Sequence, residues 1–224
     1  MSQKRIKNTP WDAAAFGLRT AEITEYTPAA LQEARQVPGH YTIKVDPLAS
    51  KQSLYEYGFY YCDTLIEPHC TAEKLKSIVH PDTAIGKDVK WQALLPICHG
   101  AFAHGRFHRD FNLDTAGADI RYNNWLQQLY DQQSVYGLYW RDELAGFIAH
   151  AGGSLVLHAV AEHYRGKRLA KYWWSAVCSE LLTTGHAEVT SSISAVNLAV
   201  LNLYASLGFS FRNPLDVYHL LVKG

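Results

Sequence analysis

LVLHAVAEHYRGKRLA, residues 155–170, is the stretch that decides the fold of this chain. Its first seven residues are apolar and β-branched enough to predict a strand, and a short turn then leads into a helix beginning near Gly166. The first amides of a helix have no partner within the helix, and together with the helix dipole they attract an anion. Arg165 and Lys167 add positive charge beside those amides. The stretch therefore predicts a site that holds a pyrophosphate on backbone amides.

Two better-known phosphate motifs are absent from the sequence. The pattern G-x-x-x-x-G-K-[ST] does not occur, which argues against a P-loop nucleotidase, and the lack of G-x-G-x-x-G argues against a Rossmann dinucleotide site. An ordinary basic turn before an ordinary helix is the alternative interpretation of residues 155–170.

The second informative stretch is SAVNLAVLNLYASLGF, residues 194–209. Asn197 opens a predicted helix that ends at Gly208, and Tyr204 lies seven residues after Asn197, two turns along the same face. A phenol at that place can reach a ligand lying beside the start of the helix. Taken singly, Asn197 can be a helix cap and Tyr204 a packing aromatic, but their pairing after the anion-binding stretch favours a ligand site.

Working outward, the rest of the chain is predicted to be α/β in two parts. A smaller domain covers 1–80, with strands at 18–23, 40–45 and 59–67 and helices after Thr27 and before Gly58. The polar stretch from Pro68 to Gly86 is the predicted linker. The second domain, 87–224, has a helix from Val89 that Pro96 interrupts, a loop at 105–114 and a helix over 116–130. Strands are predicted at 135–140, 144–151, 155–161, 189–194, 209–212 and 217–222.

A weak internal repeat links the two parts. SLYEYGFYYCDTLIE (53–67) and NLYASLGFSFRNPLDVYHLLV (202–222) both combine a short helix, a Gly-Phe pair and a strand. With the Gly-Phe pairs aligned, Leu54 stands opposite Tyr204. The first domain is thus predicted to lack the function of Tyr204, although a chance similarity is an alternative explanation of the repeat.

Composition narrows the classes of function. Of 224 residues 48% are hydrophobic and 19% charged, and 21 Lys+Arg balance 21 Asp+Glu, so a folded protein is expected, without a general basic field for nucleic acid or for an anionic membrane. No secretory signal or membrane span is recognised, which predicts a cytoplasmic protein. The four cysteines are expected to be free, with a Cys62–Cys70 bridge as the alternative. His104 and His108 could share a helical face, but no metal site is predicted.

AVAEHYRGKRLA followed by VNLAVLNLYASLGF resembles the acetyl-CoA-binding signature of the GCN5-related N-acetyltransferases. The resemblance implies a mixed, mostly antiparallel central sheet flanked by helices, preceded here by a smaller, partial copy, and acetyl-CoA as cosubstrate without a metal. Arg168 stands where the family usually has glycine. The resemblance implies that the coenzyme is bound by Ala159, Val160, Arg165, Gly166, Lys167, Arg168, Leu169, Ala170, Asn197 and Tyr204.

A narrower resemblance concerns the acceptor. WDAAAFGLRTAEI (11–23), AFAHGRFHRDFNLD (101–114) and the helix with Trp125 are similar to the TDP-fucosamine acetyltransferase group, which implies transfer to the 4-amino group of a TDP-linked deoxysugar. Arg106 suits a diphosphate because guanidinium binds phosphate in a bidentate manner. A solvated loop with a structural arginine is the alternative. The predicted acceptor residues are Arg106, Phe107, His108, Asp110, Tyr122 and His158.

The expected chemistry is direct attack of an amine on the thioester. A backbone amide near Val160 would polarise the carbonyl, Tyr204 would protonate the leaving thiolate, and Asn197 would bind the pantetheine arm or a water. His158 and Glu162 are both open as the general base, and a base need not be required. Transfer to a protein, a peptide or another small amine, and a non-catalytic coenzyme-binding module, remain alternative functions. A homodimer is left open.

Overall fold

The computed structural model describes residues 4–224, which form eleven strands and eight α-helices. The strands are β1 (Ile6–Asn8), β2 (Thr20–Ile23), β3 (Gly39–Val45), β4 (Tyr60–Thr71), β5 (Thr83–Gly86), β6 (Val135–Trp140), β7 (Glu143–Ala151), β8 (Ser154–Val160), β9 (Glu188–Ser191), β10 (Ile193–Ser194) and β11 (Ser210–Val222). The helices are α1 (Pro10–Phe16), α2 (Pro28–Ala34), α3 (Gln52–Glu56), α4 (Trp91–Cys98), α5 (Arg106–Arg109), α6 (Thr115–Asp131), α7 (Ala170–Thr183) and α8 (Leu198–Ser206).

The chain divides into two compact units that interleave along the sequence. Unit 1 comprises the described residues up to Leu65 together with Ala103–Arg121 and Pro214–Gly224, and unit 2 comprises Ile66–Phe102 and Tyr122–Asn213. These bounds differ from the expected domains 1–80 and 87–224, because β4 and β11 each begin in one unit and continue into the other. The expected linker is also structured: β4 includes Pro68, and β5 ends at Gly86.

Unit 1 is built on a mixed set of strands. β1 pairs antiparallel with β2, β2 runs parallel to β3, and β3 pairs antiparallel with the end of β11, where Gly39 lies opposite Val222. Thr27 opens α2 as predicted, since its hydroxyl accepts the Ala30 N–H and Pro28 follows. The core between strands and helices contains Leu31, Tyr41, Ile43 and Leu54, each essentially removed from solvent.

Unit 2 has a larger mixed sheet in the order β5-β6-β7-β8-β9-β4, with β10 also paired to β4. The predicted meander is confirmed, because β6, β7 and β8 are successive antiparallel neighbours. β8 and β9 run parallel, connected through α7. The predicted apolar stripe of α7 packs in the core, where Trp173, Val177 and Leu181 are buried and Leu169 is partly buried. The class is therefore a mixed α/β fold with helices flanking a mixed sheet.

The two units exchange a strand. In unit 1 the parallel pair β2/β3 encloses α2 in the chain, and in unit 2 the parallel pair β8/β9 encloses α7. The strand that follows α3 is β4, but its end pairs antiparallel with β9 of unit 2. The strand that follows α8 is β11, but its end pairs antiparallel with β3 of unit 1. Unit 1 therefore takes its last strand from the segment after α8, a helix of unit 2. Unit 2 takes its last strand from the segment after α3, a helix of unit 1.

The internal repeat corresponds to a shared local structure. Gly58 and Gly208 both have positive φ, +82° and +91°, and end α3 and α8 respectively. The N–H of Phe59 donates to the Leu54 carbonyl at 2.9 Å, and the N–H of Phe209 donates to the Tyr204 carbonyl at 3.2 Å. Such bonds across a left-handed glycine are a common way to end a helix. Leu54 and Tyr204 thus occupy equivalent places, and both side chains are 0% exposed.

Several predicted elements differ from the observed ones. The helix expected from Gly166 begins at Ala170, because Gly166 (φ +75°) and Arg168 (φ +60°) adopt left-handed conformations that a right-handed helix excludes. The expected loop at 105–114 contains the short helix α5. The two last predicted strands form one, β11, which continues through Asn213 (φ +53°). β1 and α1 were not predicted.

The cysteines are in the state expected from the sequence. All four cysteines are free; Cys70, Cys98 and Cys178 are buried and Cys62 is partly exposed. Among residues 4–224, no helix combines the length and the apolar character that crossing a membrane requires.

Candidate active site in unit 2

A β-bulge in β8 opens the sheet of unit 2. Against β7, Leu157 lies opposite Ala149 and Leu155 opposite His150, so Val156 is an extra residue on β8. A bulge of this kind bends the strand that carries it. The register of β8 with β9 covers only Ser154 and Leu155. Beyond the bulge, therefore, β8 keeps β7 as its partner but no longer pairs with β9.

Backbone groups of the outer part of β8 face this opening. The Ala161 N–H donates to the Ala145 carbonyl of the β7 segment at 2.8 Å. Because backbone groups alternate sides along an antiparallel pair, His158 and Val160 direct theirs away from β7. The Arg165 guanidinium agrees with this direction, since its Nε donates to the Val160 carbonyl at 2.8 Å. An extended ligand can therefore hydrogen-bond to this edge as an added strand would.

The turn at 165–170 combines exposure with an unusual backbone. Residues 165–168 are exposed, and Lys167 places its ammonium 5.1 Å from the centre of the Tyr164 ring. Leu169 stands at the N-cap of α7, and no side chain of the described residues caps that helix. The first amides of α7 thus have no side-chain partner at the cap, and the binding of an anion there, at a helix that begins at Ala170, stays a prediction.

Three aromatic side chains from separate elements come together near the opening. The His158 ring on β8 lies 5.0 Å from the Trp174 ring on α7 and 6.5 Å from the Tyr204 ring on α8, measured between centroids. Tyr204 also packs on Phe209 at 4.8 Å. The aromatic cluster His158–Trp174–Tyr204 thus joins the bulged strand to both helices that the sequence singled out.

Two polar atoms of this aromatic cluster are buried without a hydrogen-bond partner. They are the Tyr204 hydroxyl and the Trp174 indole nitrogen; among residues 4–224 neither makes a hydrogen bond of ordinary length and angle, although Tyr204 lies near both Trp174 and Ser191. Leaving such a group unsatisfied costs about 1–3 kcal/mol, so their presence indicates a requirement beyond packing. Burial raises the pKa of Tyr204, more than the nearby Ser191 and Trp174 lower it, so the phenol keeps its proton at neutral pH.

His158 and Asn197 have clear local environments. The His158 ring is densely surrounded although the residue keeps partial exposure, and burial lowers its pKa to about 4, so the imidazole is neutral at pH 7. Asn197 caps α8, its side-chain oxygen accepting the Val200 N–H at 3.3 Å. The contact seen for Asn197 is therefore helix capping, while its proposed contact with a ligand stays a prediction. Glu162 is exposed in a short 3₁₀ turn.

The predicted acceptor residues fall in both units. Arg106, Phe107, His108 and Asp110 belong to unit 1, whereas Tyr122 and His158 belong to unit 2. Phe107 is buried between the Arg106 and Arg121 guanidinium groups, which lie 4.7 Å and 4.2 Å from its ring centre.

Three of these side chains are engaged within their own unit. His108 bonds to Asp119 at 3.0 Å, and Asp110 is buried in a hydrogen-bond network. Tyr122 stacks on Phe102 at 4.3 Å. Asp110 in particular faces protein groups and not solvent, so it is not placed to bind an acceptor as expected.

Arg106 lines a cavity of about 150 Å³ within unit 1. Lys44 and Arg121 also line it, as do the acidic residues Asp12 and Glu22. Arg121 pairs with Asp12 at 2.6 Å and Lys44 with Glu22 at 2.8 Å. The cavity wall is thus rich in charge of both signs.

The sequence did not single out Trp174, Val156 or Ser191. Trp174 lies in an apolar helix where an aromatic reads as core, and the bulge at Val156 depends on how β7 and β8 align. Ser191 donates its hydroxyl to the Leu155 carbonyl at 2.8 Å, at the last paired residues of β8 and β9. The bulge and the Ser191 contact depend on how two strands pair, and the surroundings of Trp174 depend on what packs against its helix. The pattern of one segment reveals neither.

Comparison with known proteins places this fold. No family model and no curated protein matches the chain. Among solved structures, it is similar to a GCN5-related N-acetyltransferase from Sphaerobacter thermophilus, at 11% identity and a TM-score of 0.63 over 92% of this chain and 73% of that one. A GNAT-family acetyltransferase assigned as putative, from Novosphingobium aromaticivorans, matches at 16% identity and 0.58, over 100% and 91%.

A third similar structure is a GCN5-related glucosamine N-acetyltransferase region of a fungal multi-domain β-N-acetylglucosaminidase, at 13% identity and 0.57, over 91% of this chain and 30% of that one. At such low identities these likenesses show the fold: the chain adopts the fold of GCN5-related N-acetyltransferases. No likeness to a TDP-fucosamine acetyltransferase is among these findings.

Proposed function

We propose that this protein is an acetyl-CoA-dependent N-acetyltransferase whose reaction centre lies in unit 2. The observation that carries the proposal is the separation of β8 from β9 after the bulge. The chain then continues from β8 to the start of α7, which no side chain caps. The buried Tyr204 hydroxyl belongs to the aromatic cluster beside this opening. A pantetheine arm can pair with the outward-facing groups of the strand, and a pyrophosphate can bind the amides at the helix start. A leaving thiolate can take a proton from the Tyr204 phenol.

Binding would divide between the strand and the turn. The backbone groups of His158 and Val160 would pair with the amides of the pantetheine arm, as an added strand does. The amides of 166–170 and the start of α7 would hold the pyrophosphate, and Arg165 and Lys167 would add charge. Because Arg168 is exposed, its side chain is free to extend along the phosphates or away from them.

Acetyl-CoA would supply an acyl group already activated as a thioester. The Val160 N–H, facing the opening, would donate to the carbonyl oxygen as negative charge develops there. The amine then forms its bond to the carbonyl carbon while the bond to sulfur breaks. Tyr204 would give its proton to the departing sulfur, for which a protonated phenol without another partner is suited.

The general base is not assigned to a single side chain. His158 is neutral at pH 7, but with a pKa of about 4 it is a weak base. An amine that arrives neutral needs only a water to accept its surplus proton. His158 is therefore proposed to order the acceptor amine or that water.

Tyr204→Phe tests the proposal, since it keeps the ring and removes only the hydroxyl. We expect kcat for acetyl transfer to a panel of amines to fall roughly 10²–10⁴-fold, the usual scale of acid–base help. Stability should stay unchanged or rise, because an unsatisfied buried hydroxyl is removed. Tyr136→Phe, at another buried tyrosine of unit 2, is the matched control.

The outcomes separate the alternatives. A wild-type kcat in a folded Tyr204→Phe variant would refute the assignment of Tyr204 as the general acid. Coenzyme A binding by calorimetry without turnover of any amine would make the protein a binding module. No binding at millimolar coenzyme A would remove the whole proposal.

We further propose that the acceptor amine belongs to a nucleotide-linked amino sugar. The support is Arg106, which lines the charged cavity of unit 1, and the similarity in fold to a protein described as a glucosamine N-acetyltransferase region. A guanidinium can bind a diphosphate in a bidentate manner. Arg106→Ala should then raise KM for a sugar nucleotide about tenfold or more and leave KM for acetyl-CoA unchanged.

Arg109→Ala is the matched control for that experiment, because Arg109 is exposed, does not line the cavity and pairs with Asp63 at 3.1 Å. If Arg106→Ala and Arg109→Ala leave both KM values at the wild-type level, the acceptor must be sought among amines without phosphate.

A further inference from the structure

Unit 1 contains a buried cluster of two imidazoles and a carboxylate. One carboxylate oxygen of Asp110, Oδ2, lies 2.9 Å from Nε2 of His40 and 2.7 Å from Nδ1 of His219. All three residues are nearly inaccessible, with 2%, 2% and 0% exposure for His40, Asp110 and His219. The ligand atoms of the three lie within 4.8 Å of one another, and within residues 4–224 this is the one such group of His, Cys, Asp or Glu.

Each member of the cluster comes from a different segment of unit 1. His40 is on β3, Asp110 follows α5, and His219 is on β11. These are the three stretches of chain from which unit 1 is assembled. A link between these side chains therefore joins all of the segments that the unit needs.

The donor set indicates a class of ligand. Imidazole nitrogen is a preferred ligand of divalent zinc and of its neighbours in the first transition row, and carboxylate oxygen completes many such sites. From this donor set and its burial we propose that His40, Asp110 and His219 bind a divalent transition metal ion, zinc by preference, which ties the three segments of unit 1 together. The proposal is independent of acetyl transfer.

The observed distances are close to those that zinc requires. Bonds of about 2.0–2.2 Å at tetrahedral angles place ligand atoms roughly 3.3–3.6 Å apart, so each His–Asp distance must lengthen by roughly half an ångström or slightly more. An imidazole binds a metal through a nitrogen that carries no proton, so in each ring the proton would lie on the nitrogen that does not bind the ion.

A further oxygen and an access route are present. The Tyr60 hydroxyl lies 2.9 Å and 3.0 Å from the two Asp110 carboxylate oxygens and so adds an oxygen donor beside the cluster. His40 also lines the cavity of unit 1, which therefore reaches one of the three proposed ligands. A plausible metal site needs such a path for the ion to enter.

The competing interpretation is a network of hydrogen bonds without metal. In it, Asp110 accepts from both imidazoles, from Tyr60 and from the Asn112 N–H. That network leaves Nε2 of His219 buried without a partner among the described residues. A metal ion bound at Nδ1 would leave Nε2 of His219 in the same surroundings, so this atom does not distinguish the two interpretations.

Metal binding to the full-length protein separates the two interpretations. Protein stripped with a chelator and then freed of it would be titrated with Zn²⁺ against a chromophoric competitor, without acetyl-CoA or amine. We expect one Zn²⁺ per chain with a Kd below about 1 μM and a rise in Tm, because an ion that binds only the folded state stabilises it. Cobalt in its place should show the visible absorption of a low-coordinate site.

Variants identify the ligands. His40→Gln and His219→Gln should each weaken Zn²⁺ binding by more than the roughly 10–100-fold that losing an outer-shell partner costs. His108→Gln is the matched control, since His108 belongs to unit 1 and bonds a carboxylate, Asp119, outside the cluster. With eleven histidines in the chain, this control also measures adventitious surface binding.

The proposal fails if folded wild-type protein binds no Zn²⁺ in this range, or if all three variants bind it as the wild type does. If the two ligand variants do not fold, the stoichiometry, the Tm shift and the cobalt spectrum of the wild type decide. If the protein binds zinc but transfers no acetyl group, the metal proposal stands and the proposed function fails. If it transfers acetyl groups but binds no zinc, only the metal proposal fails.

Discussion

Tyr204 shows how one side chain can serve packing and chemistry together. Its ring is enclosed by core residues while its hydroxyl has no partner among the described residues. Leu54 fills the equivalent place in unit 1 with an apolar side chain of similar burial. The place therefore requires a large buried group in both units, but only unit 2 has added a hydroxyl.

Arg168 holds a backbone conformation better suited to glycine. Its φ of +60° is costly for a residue with a Cβ, by about 1–2 kcal/mol, and its side chain is exposed. Arg168→Gly should therefore stabilise the fold, by up to about 1 kcal/mol after the added freedom of the unfolded chain is deducted. Urea unfolding measures the change.

Lys167→Gly is the control for Arg168→Gly, because Lys167 is equally exposed but has no positive φ. It should leave stability unchanged or lower it. Equal effects of the two glycines would contradict strain at Arg168.

His158 makes stability depend on pH. Its pKa is about 4 in the folded protein and about 6.5 in the unfolded chain, so the unfolded state binds the proton more tightly. Stability is complete above pH 6.5 and falls as the pH is lowered toward 4. At pH 5 the loss from this group should be about 2 kcal/mol.

Comparison of wild type with His158→Gln at pH 7 and pH 5 checks this dependence by urea unfolding. The variant should lose about 2 kcal/mol less than the wild type between the two pH values. An equal loss in both proteins would show that His158 does not titrate in this range.

At the scale of elements, the two glycines that end α3 and α8 differ in the space around them. A Cβ on Gly208 would lie 2.1 Å from the Lys74 carbonyl oxygen, whereas one on Gly58 would meet nothing closer than 3.8 Å. Gly58→Ala should cost about 1 kcal/mol, the strain of a positive φ alone, and Gly208→Ala clearly more, because backbone must also move.

Urea unfolding of both alanine variants gives the two losses in stability. Because both positions have a positive φ, the difference between the losses measures the cost of the contact with Lys74. Equal destabilisation would mean that the backbone at Lys74 moves away without cost, and would contradict the expected clash between a Cβ at position 208 and the Lys74 carbonyl oxygen.

Most elements could be predicted because their patterns are local. The meander, the capped helices at Thr27 and Asn197 and the Gly-Phe stops are set by neighbouring residues. The late start of α7 could not be predicted, because an arginine with positive φ is rare and the sequence alone favours a helix that begins near Gly166. β4 was predicted to stop short of Pro68, since proline seldom lies inside a strand.

The two candidate sites differ in the same way. The residues expected to bind the coenzyme lie within two short stretches, so their spacing was visible in the sequence, whereas the bulge that opens β8 was not. Asp110 is 70 residues from His40 and 109 from His219, so no motif announces their meeting. Only the pairing of β3 with β11 brings the two histidines to one carboxylate.

At the scale of the whole molecule, the strand exchange means that the chain cannot be cut between the domains expected from sequence. A fragment of residues 87–224 lacks β5 and the part of β4 that pairs with β9, leaving both sides of the sheet of unit 2 without a neighbour. We expect this fragment to aggregate or to show no cooperative urea transition, because unpaired edges promote association.

Coexpression of residues 1–86 with 87–224 is the control, since it restores the missing strands in trans and should recover a soluble complex. A fragment 87–224 that unfolds cooperatively by itself would show that the exchanged strand is dispensable.

The exchange also sets an order on biosynthesis. Translation delivers β3 early and β11 after every other element of either unit, yet β3 pairs with β11. Domains usually fold from the amino terminus as they leave the ribosome. Here the amino-terminal unit must wait, with one edge of its sheet unpaired, until translation of all the other elements is complete. The unit whose first strands are made earliest is thus completed only when β11 has been made.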